Sequence, residues 1–199
     1  AGSYDRGVIV AEGFDYEIID KAYRPYDNMS LLVLLKSDGS IEKCVVASVT
    51  ESLKADPQFG TDWDRLVEIF RKPSLQMVSF TITEKGYSLT GADGSYRADV
   101  TADFEAGPQS ADSYIGKLAA LCYHRYMSGK LPVAMVSMDN CSHNGDKLYA
   151  AVSAFAEKWA ENGLVSRDFV SYINDKDSVS FPWTMIDKIT PRPDPAVKA

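Results

Sequence analysis

The stretch LPVAMVSMDNCSHNGDKL, residues 131–148, passes from a short apolar run through a polar segment into a helical pattern. The apolar run predicts a buried strand, because it is short and ends in polar residues. Apolar residues then recur at the spacing of a buried helix face, at Leu148, Ala151, Val152, Phe155 and Trp159. The pattern ends near Asn162 and Gly163, which are typical of helix C-termini. A buried strand that leads into an amphipathic helix indicates an α/β fold.

Similar units precede this stretch. TDWDRLVEIFRK (residues 61–72) has helical periodicity behind Thr61 or Asp62, either of which could be the N-cap, and LQMVSFTIT (residues 75–83) predicts a strand. Another helix face precedes residue 131 and comprises Tyr114, Leu118, Leu121 and Cys122. Repeated β-α-β crossovers are right-handed and predict a Rossmann-like, doubly wound, mostly parallel sheet with helices on both faces.

The N-terminal quarter adds an antiparallel hairpin to this plan. MSLLVLLK (residues 29–36) and IEKCVVASV (residues 41–49) flank SDGS, in which Asp38 and Gly39 form a strong hairpin signal. Before the hairpin, GVIVAEGF (residues 7–14) predicts a short buried strand that ends at Glu12.

Two segments show no such periodicity. Residues 88–109 are polar and rich in Gly, Asp and Ala, which predicts a long loop. The segment TPRPDPAVKA, residues 190–199, contains three prolines and is typical of a linker or a domain boundary.

Composition excludes several classes of function. The 199 residues carry a formal net charge of -7, so their surface would repel phosphate backbones and nucleic-acid binding is not expected. No apolar stretch approaches the length of a membrane span, and we expect a soluble, cytoplasmic protein without a membrane contact. Three cysteines at irregular spacing argue against a disulfide framework, and no paired Cys or His spacing supports a metal site.

Small hydroxylated, acidic or amide side chains follow several predicted strands. The segments are SVTES (residues 48–52), TITEKGY (residues 81–87) and SMDNCSHNG (residues 137–145). Because ligands bind at the carboxyl ends of parallel strands, these segments could hydrogen-bond a polyhydroxy substrate or a nicotinamide. Each segment could equally be a helix cap or a turn. A fourth segment, SFPWTMIDKITP (residues 180–191), contains Asp187 and Lys188, which could simply form a solvated ion pair.

Together these segments resemble the motifs of the polyol-specific long-chain dehydrogenases of the mannitol dehydrogenase type, which include mannonate (fructuronate) and altronate (tagaturonate) oxidoreductases. TITEKGY is similar to the family's T-x-T-E-x-G-Y segment, MDNCSHNG to its C-D-N-x-x-x-N-G segment, and FPWTMIDKITP to its F-P-x-[ST]-M-V-D-R-I-x-P signature. The similarity runs in order from about Gly7 to Pro193.

The resemblance implies an NAD-dependent, metal-independent oxidoreductase that transfers a hydride between a nicotinamide cofactor and a sugar acid or polyol. The segment VIVAEGFDYEIIDKAYRPYDN (residues 8–28) is more similar to the uronate branch, which favours D-mannonate and D-fructuronate over mannitol and fructose. The departures are mild: Met138 replaces the usual Cys, Ile186 replaces Val, and Lys188 replaces Arg and so lacks the planar fork.

The resemblance also predicts the domain organisation. Residues 1–190 are expected to form a Rossmann-type dinucleotide-binding domain that lacks its first strand and Gly-rich turn, since no G-x-G-x-x-G pattern occurs. Residues 191–199 are then a linker toward a helical C-terminal domain of the same polypeptide, which carries the catalytic lysine in this family. We therefore expect these 199 residues alone to be inactive.

Asn140 is the predicted catalytic residue. Hydride transfer to a carbonyl builds negative charge on its oxygen, and a neutral amide is a donor that cannot titrate. The resemblance implies the same oxyanion role for Asn140. Asp139 could orient its neighbours, and Asn144 could open the next helix. His143 is an alternative base, but the family uses a lysine, and His143 could instead cap or pack.

The cofactor site has its own candidates. Glu12 lies near the end of the second strand of a Rossmann unit, where a carboxylate binds ribose hydroxyls and favours NAD over NADP. Thr81, Thr83 and Glu84 are candidates for the nicotinamide side. The predicted substrate- or cofactor-binding residues are Glu12, Ser48, Thr50, Thr81, Thr83, Glu84, Asp139, Asn144, Asp187 and Lys188.

An alternative function is a non-catalytic nucleotide- or sugar-binding Rossmann module that kept the sheet but not the chemistry. The absence of the phosphate-binding turn and of the catalytic lysine from this sequence favours it. A structural interaction domain is a third class, but the sequence shows no exposed apolar pattern that supports it.

Overall fold

A computed structural model describes residues 7–187. The strands are β1 (Val8–Glu12), β2 (Ser30–Leu35), β3 (Ile41–Val46), β4 (Val49–Lys54), β5 (Met77–Phe80), β6 (Val133–Ser137) and β7 (Val179–Ser180). The α-helices are α1 (Gly60–Phe70), α2 (Thr83–Gly86), α3 (Ala98–Ala106), α4 (Tyr114–Met127), α5 (Asn144–Glu161) and α6 (Arg167–Asn174). The described residues fall into two compact units, 7–55 and 56–187.

The first unit contains two pairs of strands. β1 runs parallel to β4, and β2 pairs antiparallel with β3. The β2–β3 turn places Gly39 at φ 81°, a left-handed conformation that glycine adopts without a steric penalty. The hairpin predicted from Asp38 and Gly39 is therefore confirmed.

The second unit is built around a parallel sheet of order β5-β6-β7. α5 packs its predicted apolar face inward, and Leu148, Val152, Phe155 and Trp159 are fully buried. Each such side chain contributes roughly 1.5–3 kcal/mol by leaving water. α5 ends at Glu161, close to the predicted Asn162 and Gly163. Because β5 and β6 are parallel, their carboxyl ends lie at one edge of the sheet.

Arg125 in α4 organises the opposite, amino-terminal edge of this sheet. Its guanidinium is fully buried. It donates hydrogen bonds to the backbone carbonyls of Phe70, Lys72, Leu75, Leu131 and Pro132. A single cation therefore ties the residues that precede β5 to those that precede β6.

The interpretation of SVTES as a strand end is wrong. β3 ends at Val46 and β4 begins at Val49, so Ser48 precedes a strand and Thr50 lies inside one. Thr50 is exposed, whereas Leu53 is buried. Pairing with the apolar strand β1 outweighs the polar composition of this segment, because strand preference depends strongly on neighbours.

The helix starts also differ in detail from the predictions. α1 begins at Gly60, and its N-cap residue Phe59 makes no side-chain capping bond. The predicted caps, Thr61 and Asp62, lie in the first turn instead, where the carboxylate of Asp62 favours the positive end of the helix dipole.

The predicted loop at residues 88–109 contains α3, and α6 was not predicted. α3 has only two large apolar residues, Val100 and Phe104, so its sequence carries a weak helical signal. Phe104 packs edge-on against Phe155 at 4.8 Å between ring centroids, and Trp159 Nε1 donates to the Asp103 carbonyl at 2.8 Å. These tertiary contacts stabilise α3 where local preference does not.

Candidate active site

The carboxylate of Asp139 links the ends of β5 and β6. Its Oδ2 accepts a hydrogen bond from the Ile82 backbone N–H and its Oδ1 one from the Thr83 N–H, both at 2.9 Å. Asp139 is buried, and Thr83 has φ 64°, a conformation that is unfavourable for a β-branched residue. Asp139 therefore holds the turn after β5 in a strained conformation, which agrees with the predicted orienting role.

Tyr87 and Ser137 complete a buried hydrogen-bonded group around Asp139. The Tyr87 hydroxyl donates to Asp139 Oδ2 at 2.5 Å and lies 2.7 Å from Ser137 Oγ. Burial, and then the hydrogen bond to Asp139, raise the pKa of Tyr87 above its ordinary value. The phenol therefore stays protonated near neutral pH and serves as a donor to the carboxylate.

Asn144, the first residue of α5, clamps the segment that follows β7. Its Nδ2 donates to the Asp139 carbonyl at 3.1 Å and to Thr184 Oγ1 at 2.7 Å. The Thr184 hydroxyl in turn donates to the Ser137 carbonyl at 2.5 Å. Asn144 opens the helix as predicted, but its buried amide binds protein groups, so the structure gives it a supporting position rather than free donors.

Close backbone packing beside Asn144 reinforces this clamp. A Cβ on Gly145 would lie 2.5 Å from the Phe181 carbonyl oxygen, too close for any other residue without a backbone shift. The motif therefore requires a glycine at Gly145, because the chain after β7 passes too close to the start of α5 for a side chain.

Asn140 is exposed at this edge, unlike its neighbour Asp139. It follows Asp139 directly, and its side-chain amide makes no hydrogen bond to any residue between 7 and 187. The backbone on both sides of it is fixed by the side chains of Asp139 and Asn144. Asn140 therefore presents uncommitted amide donors at the carboxyl end of β6.

The residues predicted for the nicotinamide side lie at the same edge, just after β5. Thr81 and Thr83 are exposed. Glu84 is also exposed, and its Oε1 lies 2.5 Å from Lys147 Nζ of α5 in an ion pair that contributes little stability. The structure therefore brings Thr81, Thr83 and Glu84 together with the 139–144 segment.

His143, at the start of α5, packs against the ring of Trp183. Its ring stacks on Trp183 with centroids 4.3 Å apart and planes 15° apart. Its Nδ1 lies 3.8 Å from Asp146 Oδ2, and Trp183 Nε1 donates to Asp146 Oδ1 at 2.9 Å. This arrangement agrees with the packing role that the sequence left open for His143.

Glu12, Ser48 and Thr50 lie in the first unit. Glu12 ends β1 as predicted, and its Oε1 accepts hydrogen bonds from the Phe14 N–H at 2.8 Å and the Asp15 N–H at 3.3 Å. Its Oε2 accepts no hydrogen bond from the described part of the chain. Thr50 donates across the strands to the Val8 carbonyl at 3.3 Å.

The last predicted site residues lie near the end of the described chain. Asp187 is exposed, and Lys188 and the 191–199 linker lie outside the described residues. Within residues 7–187 there is no group of three or more His, Cys, Asp or Glu side chains that could hold a metal ion. No helix in that range is long and apolar enough to cross a membrane.

Sequence reasoning missed Tyr87, Ser137 and Thr184 as members of this site. All three lie inside the quoted motif segments, and this location was the signal in the sequence that could have identified them. The hydrogen bond between Tyr87 and Ser137 joins residues 50 positions apart, and such pairing cannot be read from local pattern.

Comparison with known proteins gives a consistent picture. A family model described as "Mannitol dehydrogenase Rossmann domain" matches residues 10–198. D-mannonate oxidoreductase of Thermotoga maritima is 51% identical over 99% of this chain and 36% of its own length. A mannitol 2-dehydrogenase of Pyrenophora tritici-repentis is 29% identical over 86% of this chain and 28% of its own. The chain thus spans about a third of the length of these relatives.

Solved structures confirm the Rossmann-like α/β prediction. A substrate-free D-sorbitol dehydrogenase superposes with a TM-score of 0.75 at 22% identity, covering 96% of this chain and 38% of the other. A Pseudomonas fluorescens mannitol 2-dehydrogenase, solved as a ternary complex with NAD and D-mannitol, gives a TM-score of 0.66 at 29% identity, covering 87% and 33%.

Proposed function

Because the chain belongs to the mannitol dehydrogenase family, through its Rossmann domain, we propose that it is the dinucleotide-binding part of an NAD-dependent polyol or sugar-acid oxidoreductase. The observation that carries the proposal is the placement of Asn140. Its amide is exposed at the carboxyl end of β6 and has no hydrogen-bond partner among the described residues, while Asp139 and Asn144 fix the backbone around it.

The chemistry assigned to Asn140 is stabilisation of charge. When a carbonyl is reduced, negative charge builds on its oxygen, and a fixed N–H donor lowers the energy of that state. Asn140 would donate to this oxygen in reduction, and to the same oxygen as the alcohol loses its proton in oxidation. The bound nicotinamide supplies or accepts the hydride.

The cofactor we propose is NAD. Glu12 lies at the carboxyl end of β1, and its Oε2 accepts no hydrogen bond from residues 7–187. This oxygen fits the ribose hydroxyls and would repel the 2′-phosphate of NADP. In the second unit, the exposed hydroxyls of Thr81 and Thr83 offer hydrogen bonds to the nicotinamide amide, with Glu84 beside them. Each set of groups, taken by itself, is compatible with the cofactor named in the mannitol 2-dehydrogenase complex.

For the substrate we propose D-mannonate and its oxidation product D-fructuronate. Support comes from the 51% identity to a protein named D-mannonate oxidoreductase, against 29% to a mannitol 2-dehydrogenase. We further propose that Asp187 and Lys188 contribute to the site as the family signature implies, and that Ser48 and Thr50 line the cofactor region of the first unit.

The complete protein would include a helical domain that supplies a lysine as the proton donor and acceptor. The lengths of the relatives support this, since the chain spans 36% of the D-mannonate oxidoreductase. We place the protein in the cytoplasm, where its free thiols at Cys44, Cys122 and Cys141 would stay reduced.

The test is a steady-state assay of the complete protein with NADH and D-fructuronate, with D-fructose and NADPH as comparison substrates. We expect NADH oxidation with D-fructuronate at a higher kcat/KM than with D-fructose, and a lower kcat/KM with NADPH. Binding of dinucleotide without turnover of any sugar acid or ketose would contradict the proposal and favour the non-catalytic binding module.

A further inference from the structure

We propose that Tyr87 is a positioning residue of this site, one that acts on Asn140 through Asp139. The expected effect of Tyr87 on kcat rests on the proposed function. Its expected effect on the backbone after β5 does not. Tyr87 belongs to a closed chain of buried and half-buried contacts. The chain runs from the Tyr87 hydroxyl to the Asp139 carboxylate, and from the Asp139 carbonyl to the Asn144 side chain. It continues to Thr184 and to Ser137, and returns to Tyr87.

The proton positions in this chain follow from the chemistry of its members. An ionised carboxylate only accepts, so the Tyr87 hydroxyl must donate to Asp139 Oδ2. The Tyr87 oxygen is then an acceptor, and the Ser137 hydroxyl donates to it at 2.7 Å. Ser137 Oγ in turn lies 3.4 Å from the Asp139 backbone N–H, which donates to it. The Tyr87 hydroxyl therefore donates to Asp139, and the Ser137 hydroxyl donates to Tyr87.

Asp139 depends on Tyr87 to keep its carboxylate in place. Within residues 7–187, Oδ2 accepts from two donors, the Ile82 N–H and the Tyr87 hydroxyl, and the latter is the shorter bond at 2.5 Å against 2.9 Å. Without the hydroxyl, the carboxylate can rotate away from the Thr83 N–H. Thr83 at φ 64° would then lose the contact that opposes its backbone strain.

The consequence reaches Asn140 through its backbone, where the Cys141 N–H donates to the Asp139 carbonyl at 2.9 Å and closes a turn across Asn140. Its own amide has no hydrogen bond to a described residue, so its direction is set by the backbone of Asp139 and the following turn. The Asp139 carbonyl accepts from Asn144 Nδ2 and from the Cys141 N–H. The Asp139 carboxylate accepts from two backbone N–H groups after β5, and the Tyr87 hydroxyl is the side-chain donor that completes this set. Loss of the Tyr87 bond would loosen the residue that precedes Asn140 and leave the oxyanion donor less well aimed.

Tyr87→Phe in the complete protein is the test, and Tyr172→Phe is its matched control. Both tyrosines are buried, at 5% and 3% exposure, and Tyr172 donates one hydrogen bond, to the Leu131 carbonyl at 2.6 Å. We expect Tyr87→Phe to lower kcat by roughly 10-fold, the scale of a small misplacement at a reacting centre, with the KM for NADH unchanged. The primary isotope effect on kcat with deuterated NADH should rise. Tyr172→Phe should keep the wild-type kcat and isotope effect.

A second measurement does not depend on activity. Amide hydrogen exchange of Ile82 and Thr83 in the folded protein should be at least about 10-fold faster in Tyr87→Phe than in Tyr172→Phe. Equal kcat in the two variants, or equal exchange at Thr83, would overturn the positioning role. A wild-type protein without turnover would instead refute the proposed function, and exchange at Thr83 would then decide the role of Tyr87 alone.

Discussion

The side chain of Asn144 exchanges three hydrogen bonds with Thr184, which lies 40 residues further along the chain. Nδ2 donates to the Thr184 hydroxyl and carbonyl, and Oδ1 accepts from the Thr184 N–H. The same Nδ2 reaches the Asp139 carbonyl. One buried amide thus joins the segments after β6 and after β7 and closes the carboxyl edge of the sheet around Asn140.

We expect Asn144→Ala to lower the free energy of unfolding by about 2–3 kcal/mol, because several buried polar groups lose their partner at once. Urea denaturation of the purified protein measures it. Asn174→Ala is the control, since Asn174 is exposed and its side-chain oxygen accepts hydrogen bonds from Tyr149 and Ser153 on the protein surface. A cost for Asn144→Ala no larger than that of the control would show that the clamp carries little energy.

Arg125→Lys should destabilise the fold by about 3 kcal/mol, because a lysine lacks the planar fork and leaves buried carbonyls unpaired. The guanidinium has five carbonyl acceptors in the native chain. Arg167→Lys provides the comparison, since Arg167 forms an exposed ion pair with Glu157 and should change stability by under about 0.5 kcal/mol. Similar unfolding midpoints for the two variants would refute the anchoring role of Arg125.

Acid should destabilise the protein through His124. Burial, and then the charge of Arg71, lower the pKa of His124 below its ordinary value of 6.5. The unfolded chain therefore binds a proton at a higher pH than the folded one. Stability is lost as pH falls through about 6.5 toward the lower folded pKa, and this contribution is constant above that window.

Thermal unfolding at pH 7.5 and pH 5.5 tests this. His124→Gln should show a smaller drop in Tm between the two pH values than the wild type, because it removes the group that titrates. Asn174→Ala, which leaves both histidines of the chain in place, should retain the wild-type drop. If His124→Gln and the wild type lose the same number of degrees, His124 does not control the acid response.

Much of the fold could be predicted from the sequence, because periodic residue patterns mark several of its helices and strands. The buried face of α5 from Leu148 to Trp159 and the β2–β3 hairpin at Gly39 follow directly from residue spacing and turn chemistry. α3 and β4 were missed for the opposite reason. α3 is stabilised by contacts with Phe155 and Trp159, and β4 by pairing with β1. Neither element therefore has a clear pattern in its own local sequence.

The candidate site shows the same division. Asp139, Asn140 and Asn144 were predicted because they follow a strand and match a family motif. The sequence analysis assigned the donor role to Asn140 and the helix start to Asn144, but it did not predict that the Asn144 side chain is buried while Asn140 is exposed. The bond from Asn144 to Thr184, 40 residues further along the chain, accounts for this difference and cannot be predicted from a local pattern.

The most direct measurement is the kcat of Asn140→Ala in the complete protein, assayed with NADH and D-fructuronate beside the wild type and Asn174→Ala. Loss of one donor to the developing oxyanion predicts a kcat lower by roughly 10²-fold, with the unfolding midpoint unchanged. A kcat for Asn140→Ala within about twofold of that of Asn174→Ala would contradict the assignment and make Asn140 a surface residue without a catalytic role.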